Sequence, residues 1–290
     1  MANDLGTSSD NPAGAGSQGI DANANKVSGP KARSAWAVTR SVWFAMFMRE
    51  AIGRTMTDRM GWFWMIAEPA LLLLVMIGIR SFIRGDKLII NAPFIPWMLV
   101  GMMGFFLIRE GMMQGLGAIN ANKALFAYRQ VHPIDGVLVR NVLDGLIRTV
   151  IFLLFMVGGL MVGTDFRPDN GFQALGGWLS LWLFGLGLGL VTSVLGSLVP
   201  EVSKIIRMLN MPLLILSGVI MPLNQLPHYL LEYLMLNPIV HGLEYIRSGF
   251  FEGYQVVHGT SMTYFWAWTL STVALGLLMH VRFKERLKSQ

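Results

Sequence analysis

Six long apolar stretches, separated by shorter polar segments, organise this chain. They run over about 61–82, 93–119, 136–162, 174–199, 205–221 and 262–281. A helix needs about 20 mostly apolar residues to cross a bilayer. The pattern therefore predicts an all-α polytopic membrane protein with six transmembrane helices. Residues 34–60 differ, because aromatic and basic residues alternate there. Trp36, Trp43 and Phe47 share a helical face, with Arg40 and Glu50 close to it. Such a mixture predicts a helix lying in the membrane interface, its rings at headgroup level and its arginines reaching to water.

Between the fifth and sixth stretches, Pro222, Pro227 and Pro238 divide the chain into apolar pieces too short to cross, about 226–236 and 239–251. Proline removes a helical hydrogen bond, and the residue before it favours extended backbone. Two short helices that dip into the outer leaflet and return satisfy this pattern, provided that protein or water surrounds their ends. The first 33 residues are rich in Ala, Gly, Ser, Asn and Asp, with no apolar segment. They read as a disordered tail preceding one membrane domain over 34–290.

Composition sharpens this picture. Of 290 residues, 53% are hydrophobic and only 14% charged, against about 25% charged in soluble domains. There is no Cys, which removes disulfides, thiolate metal sites and cysteine nucleophiles. The net charge of +6 has a membrane explanation, because cytoplasmic loops accumulate Lys and Arg. No nucleic-acid partner is inferred from it. Fifteen of the 23 Lys and Arg lie on the side of both termini, five lie on the other, and Arg109, Arg140 and Arg148 fall within spans. This bias places both termini in the cytoplasm.

Catalytic signatures are missing. The sequence holds no G-x-x-x-x-G-K-[ST], no H-E-x-x-H and no G-x-S-x-G, so nucleotide cradling, zinc hydrolysis and a serine elbow of those types have no support. The charges inside the spans carry more information. Arg140, Asp144 and Arg148 are spaced four apart, so Asp144 can pair with either arginine along one helix face. Arg109 and Glu110 are neighbours, about 100° apart around a helix, and cannot share one stripe. Charges at such depth face a bundle interior or an aqueous cavity. They form either a structural ion-pair network or a cationic lining for an acidic substrate.

Aromatic residues, including Trp62, Trp64, Phe105 and Trp182, are either interfacial anchors or platforms for the C–H faces of sugars. Gly111 and Gly115, and Gly185, Gly187 and Gly189, mark close helix packing. The short loop 120–133 interleaves Lys123, Tyr128 and Arg129 with Leu125 and Phe126. It reads as a small amphipathic docking element or as an interfacial turn.

Two segments together resemble a known family. In 48–74, Arg49-Glu50 precede Gly61, Trp64 and Pro69; in 217–254, Asn237, Pro238, His241, Glu244 and Arg247 form an N-P…H…E…R pattern. Both resemble ABC-2 type polysaccharide export permeases. Glu68-Pro69 and the second motif are most similar to the transmembrane subunits of capsule polysaccharide exporters (KpsM-like). The resemblance covers 34–288 and implies a homodimer of six-span subunits in the bacterial inner membrane, with a channel at the dimer interface.

On that resemblance the chain is not itself an enzyme and holds no cofactor. ATP and Mg belong to a cytosolic ABC ATPase dimer docked on Lys123, Phe126, Tyr128, Arg129, Glu201 and Lys204. A periplasmic adaptor and an outer-membrane component continue the path of a lipid-linked, acidic polysaccharide. Trp62, Trp64, Phe105, Arg109, Arg140, Arg148 and Trp182 are its implied contacts, and Asn237, Pro238, His241, Glu244 and Arg247 its re-entrant region. An O-antigen, teichoic-acid or drug permease remains an alternative. So does an intramembrane enzyme acting on lipid-linked sugar or, more weakly, a passive channel.

Overall fold

A computed structural model describes residues 34–56, 60–83, 92–164 and 166–289. The expected tail over 1–33, several of the basic residues counted for orientation and the Trp62 side chain lie outside the described ones. The described chain is built of helices: α1 (Ala35–Met56), α2 (Gly61–Ile83), α3 (Phe94–Ala121), α4 (Pro133–Met161), α5 (Gly171–Leu198), α6 (Pro200–Leu216), α7 (His228–Leu234), α8 (Pro238–Phe250), α9 (Met262–Arg282) and α10 (Lys284–Ser289). Short 3-10 turns occupy Lys123–Ala127 and Leu223–Gln225.

Local chemistry sets the boundaries. Pro133, Pro200 and Pro238 sit in the first turns of α4, α6 and α8, where the missing N–H is not needed. The Asn170 side chain accepts from Gln173 N at 3.1 Å and the Ser261 side chain from Tyr264 N at 3.3 Å, capping α5 and α9. After α6 the chain turns through Gly218 at φ +66°, a conformation that costs glycine least.

Among the described residues, four helices, α3, α4, α5 and α9, are long and apolar enough to cross a membrane. α2 holds a shorter apolar stretch, Phe63–Ile79. The fifth expected span shifts. Its helix starts at Pro200, directly after α5, and ends at Leu216, where 205–221 was expected. Glu201 and Lys204, expected in a loop, therefore stand on the first turns of α6. Proline at N1 permits that early start, and the turn through Gly218 removes 217–221 from the helix.

α3 is the central element, buried from Pro96 to Ile108 almost without interruption. It runs alongside α5 with glycine facing glycine: a Cβ on Gly111 would lie 2.7 Å from the Gly185 carbonyl, and one on Gly115 would strike Gly189. Gly187 gives the same close approach to Thr272 and Val273 on α9. Backbones this near one another gain van der Waals contact over their whole length, which is how helices associate where no water drives them together. Beside this seam, Phe152 of α4 stacks on Trp178 of α5 at 4.7 Å, and Phe166 and Phe250 close the cluster edge-on. α6, by contrast, buries only Leu214.

α1 leans on α4. Part of its imperfect amphipathicity has a structural cause, because Glu50 turns toward a partner, while Arg40 stays exposed. Glu50 reaches Arg140 of α4 at 2.9 Å, and Arg49 donates to Asn122 at the end of α3.

Candidate functional site

Three helices, α2, α3 and α6, enclose an open cleft of about 420 Å³. Trp64, Phe105 and Arg109, three of the residues expected along a substrate path, line it together, joined by Glu68, Phe106 and Asn210. The Arg109 guanidinium lies 4.4 Å from the Phe106 ring centroid. It is also held by Glu68 at 2.7 Å and by Glu110 at 2.6 Å. Although adjacent residues project in different directions, the arginine stem is long enough to fold back onto its neighbour. The cleft thus combines flat apolar faces with one oriented cation.

Behind the cleft the charges form a continuous network. Glu110 also accepts from Arg148 at 3.1 Å, Asp144 pairs with Arg54 at 3.2 Å, and Arg54 bonds Gln114 at 3.0 Å. Glu50 joins Arg54 to Arg140. The pairing expected along α4 is replaced by pairing between helices: Asp144 takes its partner from α1, Arg148 from α3 and Arg140 from α1. Four arginines (54, 109, 140, 148) meet four carboxylates (50, 68, 110, 144). The network is therefore close to neutral, as ionic groups at that depth require. It still has spare capacity, because the buried Arg148 has no hydrogen-bond partner at Nε or Nη1.

Trp182 and Arg140 lie away from the cleft. Trp182 donates to the Asn141 carbonyl at 3.2 Å and faces a separate apolar groove between α1, α4 and α5.

The N-P…H…E…R residues gather on α8. Asn237 caps the helix through Ile239 N at 3.0 Å and bonds Ser217 at 3.0 Å. His241 uses both ring nitrogens, on the Met235 carbonyl at 2.8 Å and on Ser261 N at 3.0 Å. Arg247, 1% exposed, pairs with Glu244 at 3.0 Å, donates to the Gly218 carbonyl at 3.0 Å and lies 3.8 Å over the ring of Trp97. Gly101 leaves the space, since a Cβ there would meet the guanidinium. Trp97 donates to Tyr254 at 3.1 Å, and Tyr254 in turn donates to Glu244 at 3.0 Å. Burial raises the Tyr254 phenol, and the nearby Arg247 charge does not reverse that, so the hydroxyl keeps its proton. This motif ties α3, α8, the turn after α6 and the loop before α9 into one polar lock. From sequence Trp97 reads only as an interfacial anchor or a sugar platform and Tyr254 is not singled out, so their part in the lock was not visible.

At the opposite ends of α3 and α5, the 3-10 turn presents Lys123, Tyr128 and Arg129 to the outside, Tyr128 being 65% exposed. Phe126 points inward, packed with Met46, Val131 and Leu287 of α10, so it holds the turn in place. Glu201 and Lys204 are exposed at the same end. Among the described residues, no three His, Asp or Glu side chains converge as a metal site requires.

Comparison with known proteins places this architecture. The family profile "ABC-2 type transporter" matches residues 41–251. The chain belongs to the ABC-2 type transporter family. Among relatives of this ABC-2 chain, the polysialic acid transport protein KpsM of Escherichia coli is 33% identical over 249 residues, covering 86% of this chain and 96% of that protein. The capsule polysaccharide export inner-membrane proteins CtrC of Neisseria meningitidis and BexB of Haemophilus influenzae are each 28% identical over 254 residues, covering 88% of this chain and 95% of theirs. The two sequence motifs both fall within the ABC-2 match.

Proposed function

We propose that this ABC-2 chain is the transmembrane subunit of an ATP-driven exporter that carries lipid-anchored, acidic capsular polysaccharide across the bacterial inner membrane. The observation that carries the reading is similarity to capsule export proteins over nearly their whole length. In this reading two copies assemble with six spans each, α2 and α6 completing the set and both termini facing the cytoplasm. Their clefts between α2, α3 and α6 face one another and form the path.

The cleft suits such cargo. Trp64, Phe105 and Phe106 offer flat faces to sugar rings, and Arg109 offers charge to carboxylates while its own two carboxylates hold it in place. A near-neutral wall attracts a polyanion weakly enough to release it. Energy comes from a separate ATPase holding ATP and Mg, docked on Lys123, Tyr128, Arg129, Glu201 and Lys204, with Phe126 bracing the turn. α7 and α8 form the re-entrant region, and an adaptor and outer-membrane component continue the route.

The test is affinity purification of the tagged chain from detergent. A Walker-type ATPase should co-purify and be lost when Tyr128 and Arg129 are both changed to Ala, with export of surface polysaccharide lost alongside. A dimer recovered intact with no ATPase partner would overturn the reading.

A further inference from the structure

We propose that α10 clamps the 3-10 turn over Lys123–Ala127, and that Leu287 is a positioning residue for ATPase binding. The turn holds its outward side chains in docking geometry only while Leu287 is seated. This inference rests on the docking role given above to Lys123, Tyr128 and Arg129, and it names what sets that surface in place.

Neither short element is stable by itself. The turn has five residues and α10 has six, whereas helices shorter than about 12 residues are marginal unless packing supports them. No side-chain cap opens the turn. Packing in one shared cluster supports both elements. Leu287 is 0% exposed and Phe126 8%. With them the cluster gathers Met46 of α1, Ile119 of α3, Val139 of α4 and Val194 of α5, and Leu125 and Phe283 pack against it. Phe283 precedes Leu287 by four residues, so the two share a helical face. Leu287 N donates to the Phe283 carbonyl at 3.0 Å. Glu285 and Arg286, between them, are exposed. α10 is thus amphipathic, its apolar stripe committed to the cluster that holds the turn.

The start of the turn is fixed differently. Asn122, 1% exposed, donates to the Ala118 carbonyl at 2.7 Å and accepts from Arg49 of α1. Gly136 makes room for it, since a Cβ there would lie 2.6 Å from Asn122 Nδ2. Polar bonds therefore anchor the start, while the apolar cluster anchors the middle through Phe126. Lys123, Tyr128 and Arg129 flank Phe126 and are exposed, so a shift of that ring displaces all three. Removing the Leu287 side chain takes away part of the packing that fixes Phe126. The coupling is reciprocal: a partner that binds the ordered turn must also stabilise the seated α10.

The experiment titrates the full chain in detergent with the Walker-type ATPase that co-purifies with the wild type. In L287S the half-saturating amount of ATPase should rise at least about ten-fold, with the amount bound at saturation kept. Simple loss of folded protein would do the opposite, lowering the amount bound without moving half-saturation. L287M, of similar volume, should restore wild-type binding. A second arm uses the absence of Cys from the chain. E285C should react rapidly with a maleimide and L287C slowly, and bound ATPase should slow L287C by about a further ten-fold. Failure of the wild-type chain to bind any ATPase would overturn the export reading and this inference with it. Wild-type binding with unchanged half-saturation in L287S, or L287C reacting as fast as E285C, would overturn this inference alone.

Discussion

Replacing Arg247 with methionine tests the lock most directly. The side chains of Arg247 and Glu244 are 1% and 2% exposed and 3.0 Å apart. Methionine fills much of the arginine's volume but leaves the Glu244 carboxylate with only neutral donors, Tyr254 and Val257 N. Breaking a buried pair from one side costs about 3–5 kcal/mol. For a chain of this size that corresponds to a fall in melting temperature on the order of 10 °C. Intrinsic fluorescence in detergent is the assay, because Trp97 lies 3.8 Å from the guanidinium and reports on this region. The second half of the test is the double variant Arg247→Met with Glu244→Gln. Glutamine still accepts from Tyr254 and carries no charge, so the pair together should lose much less than the two single losses added. The reasoning fails if Arg247→Met melts with the wild type, or if the double variant loses the full sum.

Three shorter tests address other parts of the molecule. Gly115→Leu should destabilise by about 1–3 kcal/mol through overpacking of the α3–α5 seam, read as a lower melting temperature; Gly176→Ala, with nothing within 4 Å, should not. Arg148→Lys keeps the charge in the network but loses the planar set of donors; surface polysaccharide should fall while ATPase co-purification persists, and wild-type export would remove Arg148 from the path. Trp64→Ala, at a side chain 57% exposed, should lower export without shifting the melting curve, and unchanged export would show that this ring does not meet the substrate.

Helix positions were largely legible because bilayer thickness imposes a length on apolar runs. Expected and observed ends of α2, α3, α4, α5 and α9 agree within three residues. α6 was legible only from residue 205 on. Its first turn carries Glu201 and Lys204, so apolarity alone cannot see a helix that proline has already begun. The glycine seam was legible too, since Gly at four-residue spacing on two spans has few other uses.

The ion partners were not legible. Spacing along α4 offers Arg140, Asp144 and Arg148 to one another, yet each finds its nearest partner on a different helix. Which charge faces which depends on helix rotation, which local sequence does not encode. For the same reason the α8 motif was visible as a pattern while Trp97 and Tyr254, which complete it, were not.

The glycine seam has a consequence for movement. A slide of one turn, about 5.4 Å, between α3 and α5 would bring Leu181 against the backbone at Gly111, or Ile119 against Gly189. Neither position has room for a side chain. The two central helices therefore cannot ratchet past one another and must travel as one rigid body. Any widening of the molecule has to be accommodated by helices held through side chains alone, and α6, anchored by a single buried leucine, is one of them.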